Sequence, residues 1–354
     1  MQPNDLQEYA ATGKPVMNAE FCGQSWQQIS IEGLTFIECK FNQMNLQACQ
    51  LTRCVFIRCD FSQSSLVQLH WQQSNLLQCQ VKDTHWQGQC HGATFAECNF
   101  TGAVLNNLEI EASTFSDCQL DKVAVMRCSF KTTALNQLSL DGALLDSCQL
   151  NNVAWLKADL SDAKLINCQF NQVLLLECDL SAQDLSQGQL QNCTCSESRF
   201  IGTQFKDAQL QGSNFSKCLI EEACFEGAQL QRSLFIEATI KSCSFNQAHM
   251  QGVNFQQATL DACLFNRCQL NESWFKHAVI SDSDFSASEL SNANFSHAVL
   301  KSCNFQDVTL QRTNIHAMQD KDCKWPKFTE GTVLQTDVEL NQIEQKLNQL
   351  GIIL

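Results

Sequence analysis

The chain has 354 residues, a formal net charge of −14, 22 cysteines and 23 phenylalanines but only one tyrosine. The negative charge argues against direct binding to nucleic acid or to an anionic membrane. No run of about 18 apolar residues predicts a membrane span, and the N-terminus lacks the basic start and apolar stretch of a signal peptide. We therefore expect a soluble, cytoplasmic protein.

Residues 1–18 precede a repeat that begins at residue 19, and we predict that they form an N-terminal cap. Stacked repeats expose open strand edges and core at their ends, so a terminal segment is needed to cover them.

From residue 19 to residue 318, a large apolar side chain recurs at every fifth position. These positions run in one frame from Phe21 to Trp86 and in a second frame from Phe95 to Ile315, which gives about 60 units. The residue two places earlier is usually small, and 17 of the 22 cysteines occupy that position. Two inward residues separated by one outward residue indicate a short extended strand, so the other two residues must turn the chain. Each unit is predicted to be one edge of a coil.

The order of the large residues predicts four edges per coil. From Phe205 to Phe305, Phe alternates with Leu, Ile or Met. An even number of edges places Phe above Phe in successive coils, and four is the smallest even number that encloses a core. The sequence thus predicts an all-β solenoid, a quadrilateral parallel β-helix of about 15 coils with about 20 residues in each.

Two units illustrate the repeat: ADLSD at 158–162 and ANFSH at 293–297. They resemble the A(D/N)LXX pattern of the pentapeptide-repeat family, and the resemblance covers about residues 19–318. It implies that the β-helix is right-handed. It says little about function, because the repeated positions serve the interior.

One unit, within WQGQCHGATF between Trp86 and Phe95, is one residue short. It contains Cys90 and His91, which with His85 are the only local cluster of soft metal ligands. A metal would need at least one more ligand from an adjacent coil. A one-residue contraction explains the site without a metal, and we predict neither a metal nor a cofactor.

The 20-residue period predicts columns of interior cysteines. One column contains Cys39, Cys59, Cys79, Cys98 and Cys118, and a second contains Cys128, Cys148 and Cys168. They could form a metal wire or redox relay, but cysteine also serves as a small apolar filler. We favour the filler, with buried thiols of raised pKa and low reactivity.

Outward carboxylates also recur at 20-residue spacing and form a candidate acidic face for binding a partner. The pairs are Glu97 with Asp117, Asp121 with Asp141, Asp159 with Asp179, and Glu177 with Glu197. The same charges could serve only solubility. The resemblance adds a third interpretation, because some pentapeptide-repeat proteins imitate DNA and bind DNA gyrase. Here Lys157, Lys217 and Lys241 interrupt the acidic columns.

Residues 319–354 are predicted to form a C-terminal cap and a short α-helix. Trp325 and Phe328 are expected to cover the last coil, and Thr336 with Glu339 forms a capping-box pattern. One apolar stripe follows, made of Leu340, Ile343, Leu347 and Leu350. The stripe packs against the repeats or joins two copies in a homodimer, as the resemblance implies.

We predict a non-catalytic protein-binding rod that acts as a scaffold or adaptor in a bacterial cell. No GxSxG, HExxH or GxxxxGK[ST] motif occurs, and a filled interior offers no deep pocket for an enzyme. The resemblance links such arrays to secretion machinery, including effector loading in type VI systems. The alternative is a DNA mimic that binds gyrase or another topoisomerase and modulates quinolone sensitivity. A purely structural spacer is a third option.

Overall fold

The computed structural model describes residues 6–329, 331–336, 341–342 and 345–346. The chain divides into two compact units. The first comprises Met1–Gln183 with Gly188–Thr194, and the second comprises Asp184–Gln187 with Cys195–Leu354. Each unit is a parallel β-solenoid built from short strands.

The described part of the first unit starts with a helix at Leu6 and continues as strands. In chain order its elements are α1 (Leu6–Thr12), β1 (Val16–Met17), β2 (Ser25–Gln27), β3 (Ser30–Glu32), β4 (Thr35–Ile37), β5 (Asn45–Gln47), β6 (Gln50–Thr52), β7 (Val55–Ile57), β8 (Ser65–Gln72), β9 (Asn75–Leu77), β10 (His85–His91), β11 (Thr94–Ala96), β12 (Val104–Glu111), β13 (Thr114–Ser116), β14 (Ala124–Met126), β15 (Ser129–Lys131), β16 (Ala134–Asn136), β17 (Leu144–Asp146), β18 (Gln149–Asn151), β19 (Ala154–Leu156), β20 (Lys164–Ile166), β21 (Gln169–Asn171) and β22 (Leu174–Leu176).

The strands of the second unit follow. They are β23 (Arg199–Ile201), β24 (Leu219–Glu221), β25 (Thr239–Lys241), β26 (Thr259–Asp261), β27 (Val279–Ser281), β28 (Val299–Lys301), β29 (Thr313–Asn314), β30 (Gln319–Lys321) and β31 (Val333–Leu334).

Each strand pairs in parallel with a strand one coil away. In the first unit, Phe36 of β4 lies opposite Phe56 of β7. The same coil contains β5, β6 and a single bridge at Lys40, so it has four edges. In the second unit, β23 to β28 and β30 form one edge, and isolated bridges with a 20-residue period form the others. The predicted fold class, a right-handed quadrilateral parallel β-helix, is confirmed.

Nearly every corner of a coil is one residue in the left-handed conformation. The φ angle of these non-glycine corner residues lies between 49° and 62°, and their N–H groups donate to the next coil, as Glu38 does to the Ile57 carbonyl at 2.9 Å. This conformation crowds the Cβ atom, most of all in β-branched residues. Corner positions are accordingly filled by polar residues, Ala or Gly, with Thr132 a β-branched exception.

The core consists of stacked apolar side chains, and the even number of edges aligns the phenylalanines as predicted. In the second unit, the rings of Phe205 and Phe225 are stacked at 4.7 Å, and those of Phe215 and Phe235 at 5.0 Å. Rings from neighbouring columns meet edge to face, which is the favoured geometry for aromatic pairs. All four rings are fully buried.

The short unit keeps the ladder in register. Across the short unit, paired residues are 19 positions apart instead of 20. Asn75 therefore lies opposite Thr94 and not opposite Phe95. The missing residue is absorbed between Trp86 and Gly88, where the pairing of β10 with β8 shifts. Gly88 has a φ of 132°, a conformation that only glycine adopts readily. The local contraction predicted from the sequence therefore has a glycine at its centre.

The ladder extends beyond residues 19–318. In the first unit it starts at Val16, which is fully buried and pairs with Phe36. In the second unit, β30 continues the ladder in register with β28, although this segment was expected to leave the repeat. The helix α1 was not predicted, and it buries Leu6.

The last coil of the second unit is less filled than the sequence predicts. Leu310 and Ile315, both expected to point inward, are half-buried, whereas His316 is buried. Trp325 stacks on Phe305 at 3.9 Å, as a residue covering this coil would, but Phe328 is 40 % exposed.

Of the predicted C-terminal helix, only residues 341–342 and 345–346 are described, and they are helical. The apolar stripe formed by Leu340, Ile343, Leu347 and Leu350 lies outside the described residues. None of the helices in the described part of the chain has the length and hydropathy needed to cross a lipid bilayer.

Candidate interaction surface

In the first unit, outward carboxylates gather on one face of the solenoid and its two bordering corners. We define the acidic band as Glu97, Asp117, Asp121, Asp141, Asp159, Asp162, Glu177 and Asp179. Seven of these were predicted from the 20-residue spacing. The eighth predicted carboxylate, Glu197, belongs to the second unit and is not part of the acidic band.

The backbone ladder sets the positions of these carboxylates. Glu97, Asp117 and Glu177 are corner residues with a φ of 53°. Asp159 and Asp179 occupy a parallel bridge on the face itself. Because strands in a ladder are about 4.8 Å apart, stacked carboxylates are held at that spacing without any side-chain contact.

The acidic band is most concentrated around Asp141. The Asp141 N–H lies 3.3 Å from Oδ1 of Asp121, and the next N–H, that of Gly142, donates to Oδ2 of Asp162 at 3.1 Å. A hydrogen bond to Asp162 and the negative charge of that carboxylate raise the pKa of Asp141, with a smaller contribution from Asp121. Repulsion of this kind is relieved when a cation binds nearby.

Asp162 was missed because only acids at a 20-residue separation were paired. It lies 20 residues after Gly142 and therefore meets Asp141 along a diagonal. A search for acids 19 to 21 residues apart would have found it.

Two lysines lie within the acidic band and lower its net charge. Lys157 forms an ion pair with Glu177 at 3.6 Å, and both side chains are more than half exposed. Lys122 occupies the corner one coil before Gly142. Exposed pairs of this kind contribute little to stability. Carboxylates outnumber lysines in the acidic band, and Lys157 interrupts it as the sequence predicted.

The second unit has a face dominated by neutral amides. Bridges align Gln209, Gln229, His249 and Gln269 in one column. Within this column, His249 Nδ1 forms a hydrogen bond with Gln269 Oε1 at 3.0 Å. This face is polar without a strong field, so its recognition of a partner would depend on shape and hydrogen bonds.

In the one-residue-short repeat, Cys90 and His91 lie on opposite sides of the backbone, one buried and one exposed. Cys90 is buried opposite Trp71 and Ile110, and burial raises the pKa of its thiol to about 12. His91 points outward, with Nδ1 3.8 Å from Glu111, whose other oxygen binds Lys131 at 2.8 Å. Among the described residues, no group of three or more His, Cys, Asp or Glu side chains is placed to hold a metal ion.

The interior cysteines form hydrogen bonds with backbone groups and lie close to one another along each column. In the predicted column, Cys59 donates from Sγ to the Phe36 carbonyl at 3.5 Å, and its own N–H lies 3.3 Å from Cys79 Sγ. Cys98 donates to the Leu76 carbonyl at 3.4 Å, so the column continues across the short unit. In the second column, burial raises the pKa of Cys128 to about 12. Hydrogen bonds from Cys39 and Cys79 lower the pKa of Cys59, and hydrogen bonds from Cys118 and Cys79 lower that of Cys98, so the raised pKa predicted for the buried thiols is wrong at these two residues.

Comparison with solved structures gives matches at low sequence identity. QnrB1, a plasmid-mediated fluoroquinolone resistance protein, is 17% identical over 75% of this chain and 100% of its own, with a TM-score of 0.20. HetL, a pentapeptide repeat protein involved in heterocyst differentiation regulation from the cyanobacterium Nostoc, is 14% identical over 92% of this chain and 94% of its own, with a TM-score of 0.19. No curated protein matches the chain.

Family models match several parts of the repeat. Residues 238–315 match the model described as a pentapeptide repeat region. Residues 30–79, 178–217 and 213–252 match the model described as pentapeptide repeats (8 copies). These segments together cover more than half of the chain. The chain belongs to the pentapeptide repeat family.

Proposed function

We propose that the chain is a non-catalytic protein-binding module, a scaffold or adaptor that uses the acidic band to dock on a basic surface of another protein. The observation that carries this proposal is the excess of carboxylates on one face of the first unit, held at the spacing of a rigid ladder. Complementary charge on a partner accelerates encounter and selects against acidic surfaces.

The backbone geometry supports this use of the acidic band. Its residues are presented by ladder and corner positions whose φ angles and hydrogen bonds are already fixed. A preformed surface loses little conformational entropy when a partner binds. The raised pKa of Asp141 also supports docking on a basic surface. A bound cation would relieve the repulsion among Asp121, Asp141 and Asp162.

A role beside bacterial secretion machinery, such as loading of type VI effectors, is one setting that we propose for such an adaptor. It rests on analogy with other repeat arrays. The cytoplasm is the compartment that we propose, since every cysteine is a free thiol and thiols stay reduced there. Fractionation of the native cell would test this location.

Replacing four carboxylates of the acidic band by amides tests the proposal. The band variant combines Asp121→Asn, Asp141→Asn, Asp159→Asn and Asp179→Asn. The fold should persist, because asparagine keeps the Oδ1 acceptor that receives the Ser161 N–H at 3.0 Å. We expect recovery of the partner from native lysate, measured by quantitative mass spectrometry, to fall at least about tenfold, because four favourable charge contacts are lost.

A matched control removes the same number of charges from the second unit. It changes four corner carboxylates to amides, at Glu222, Glu237, Glu272 and Asp282. Recovery of the partner should match that of the unaltered protein. Equal recovery with the band variant and with the control would refute docking through the acidic band.

The alternative function, a DNA mimic that binds gyrase, is favoured by the same acidic band. A supercoiling assay with purified gyrase distinguishes the two. Inhibition at micromolar protein that disappears in the band variant would support mimicry. No effect of the unaltered protein would leave the adaptor as the remaining proposal.

We also propose a homodimer formed through the apolar stripe of the C-terminal segment. Ile343→Asp combined with Leu347→Asp should halve the mass measured by light scattering, because charge on the stripe removes the apolar contact. A short amphipathic segment would be marginal alone, so a partner surface is needed to stabilise it. An unchanged dimer mass would retire the assignment.

A further inference from the structure

A polar cavity of about 390 Å³ opens on one edge of the second unit. It is lined by the corner residues Gln247, Arg267, Ala287 and Asp307, with Asn246, Asn266 and Ser286 beside them. Its volume falls within the range of sites for small molecules, and it is polar and open to solvent, where most such sites are apolar and enclosed. It lies outside the acidic band, and neither the repeat nor the family resemblance predicts it.

The cavity exists because one corner side chain is small. Arg267, Ala287 and Asp307 are consecutive corner residues with φ angles of 59°, 58° and 56°. Ala287 contributes only a methyl group, so a gap remains between the longer side chains on either side. The two flanking Cα atoms are about 10 Å apart, twice the spacing of neighbouring strands.

The same gap keeps two opposite charges from pairing. Elsewhere, charges one coil apart along a corner column meet, as Arg58 and Glu38 do at 2.9 Å. Arg267 and Asp307 are two coils apart, and neither forms an ion pair within the part of the chain that the structure describes. The cavity therefore has a cation on one wall and a carboxylate on the other.

Polar groups that are hydrogen-bonded to one another line the cavity beside the corner residues. Asn266 donates from Nδ2 to Ser286 Oγ at 2.7 Å, and its N–H donates to Asn246 Oδ1 at 3.0 Å. Asn246, Asn266 and Ser286 are half-buried. Amides and hydroxyls that are held in this way can form hydrogen bonds with a peptide group.

We infer that this cavity binds a small zwitterion of the size of a dipeptide. Its carboxylate pairs with the guanidinium of Arg267, which presents paired donors suited to that group. Its ammonium pairs with Asp307, and its peptide group lies against Asn266 and Ser286. Both ion pairs remain open to water, so we expect a dissociation constant on the order of 1 mM.

Saturation-transfer NMR with dialanine and the full chain tests this inference. At about 10 mM, ten times the expected constant, dialanine should receive saturation from the protein. N-acetyl-dialanine lacks the ammonium and dialanine amide lacks the carboxylate, so each should bind about threefold to fivefold more weakly, as the loss of one exposed ion pair implies. Absence of transfer to dialanine would overturn the inference, and so would equal transfer to all three peptides.

Variants show whether the cavity is the binding place. Ala287→Gln fills the gap with a residue that is common at corners, and Arg267→Gln removes the cation. Ala287→Gln should abolish the transfer, and Arg267→Gln should weaken the binding of dialanine about as much as loss of the peptide carboxylate does. Ala262→Gln, at another exposed corner with a φ of 53°, is the matched control and should leave it unchanged. Transfer that persists in Ala287→Gln at the level of this control would overturn the inference.

Discussion

Phe255→Asp is expected to unfold the second unit at room temperature. The Phe255 side chain is fully buried and is stacked between Phe235 at 4.9 Å and Phe275 at 5.2 Å. The substitution removes both ring contacts and leaves an unpaired carboxylate in an apolar column. The free energy of unfolding should fall by more than about 5 kcal/mol, which is comparable to the whole stability of many domains. Thermal and urea unfolding followed by circular dichroism measure it.

The control places the same charge two residues away. Gln257 is an exposed corner residue with a φ of 59°, where aspartate is readily accommodated. Gln257→Asp should change the free energy of unfolding by no more than about 0.5 kcal/mol. Similar unfolding curves for the two variants would mean that Phe255 does not lie in a stacked core.

Gly88→Ala is expected to have the second largest effect. A Cβ atom at residue 88 would lie 2.3 Å from the carbonyl oxygen of Leu69 and 2.6 Å from its nitrogen. Both are backbone atoms of the adjacent coil, so no side-chain movement relieves the overlap. Together with the unfavourable φ, this should lower the free energy of unfolding by at least about 3 kcal/mol. Urea unfolding of the variant measures the loss.

Gly33→Ala is the matched control for Gly88→Ala. Gly33 also has a positive φ, of 68°, but nothing lies within 4 Å of its Cβ position. Alanine there should cost only about 1 kcal/mol, as expected for a left-handed alanine. If the two variants lose the same free energy of unfolding, the backbones of Gly88 and Leu69 are not in close contact in the short unit.

Much of the fold could be predicted because each residue of a five-residue unit has a fixed direction. The alternation of Phe with Leu between Phe205 and Phe305 required an even number of edges, and the stacked rings confirm it. The spacing from Trp86 to Phe95 showed that one residue was missing, but not that the register would shift at Gly88. The left-handed φ angle at the corners is hard to predict, because its one sign in the sequence is that few corner residues are β-branched.

The ends and the surface were harder to predict, since the repeat does not determine them. Ile315 continues the apolar period but is only half-buried, because burial depends on the turn that follows. Asp162 joins the acidic band through a diagonal contact that a strict 20-residue spacing misses. The cavity beside Ala287 arises from one small residue between two charged ones, which only the coil geometry brings together.

A crystal structure at side-chain resolution would test the four-edged coil most directly. It should show Phe225 stacked over Phe205 with a 20-residue period, and Asn75 opposite Thr94 with a 19-residue period across the short unit. A different number of edges, or phenylalanines that stack over leucines in these columns, would contradict the account.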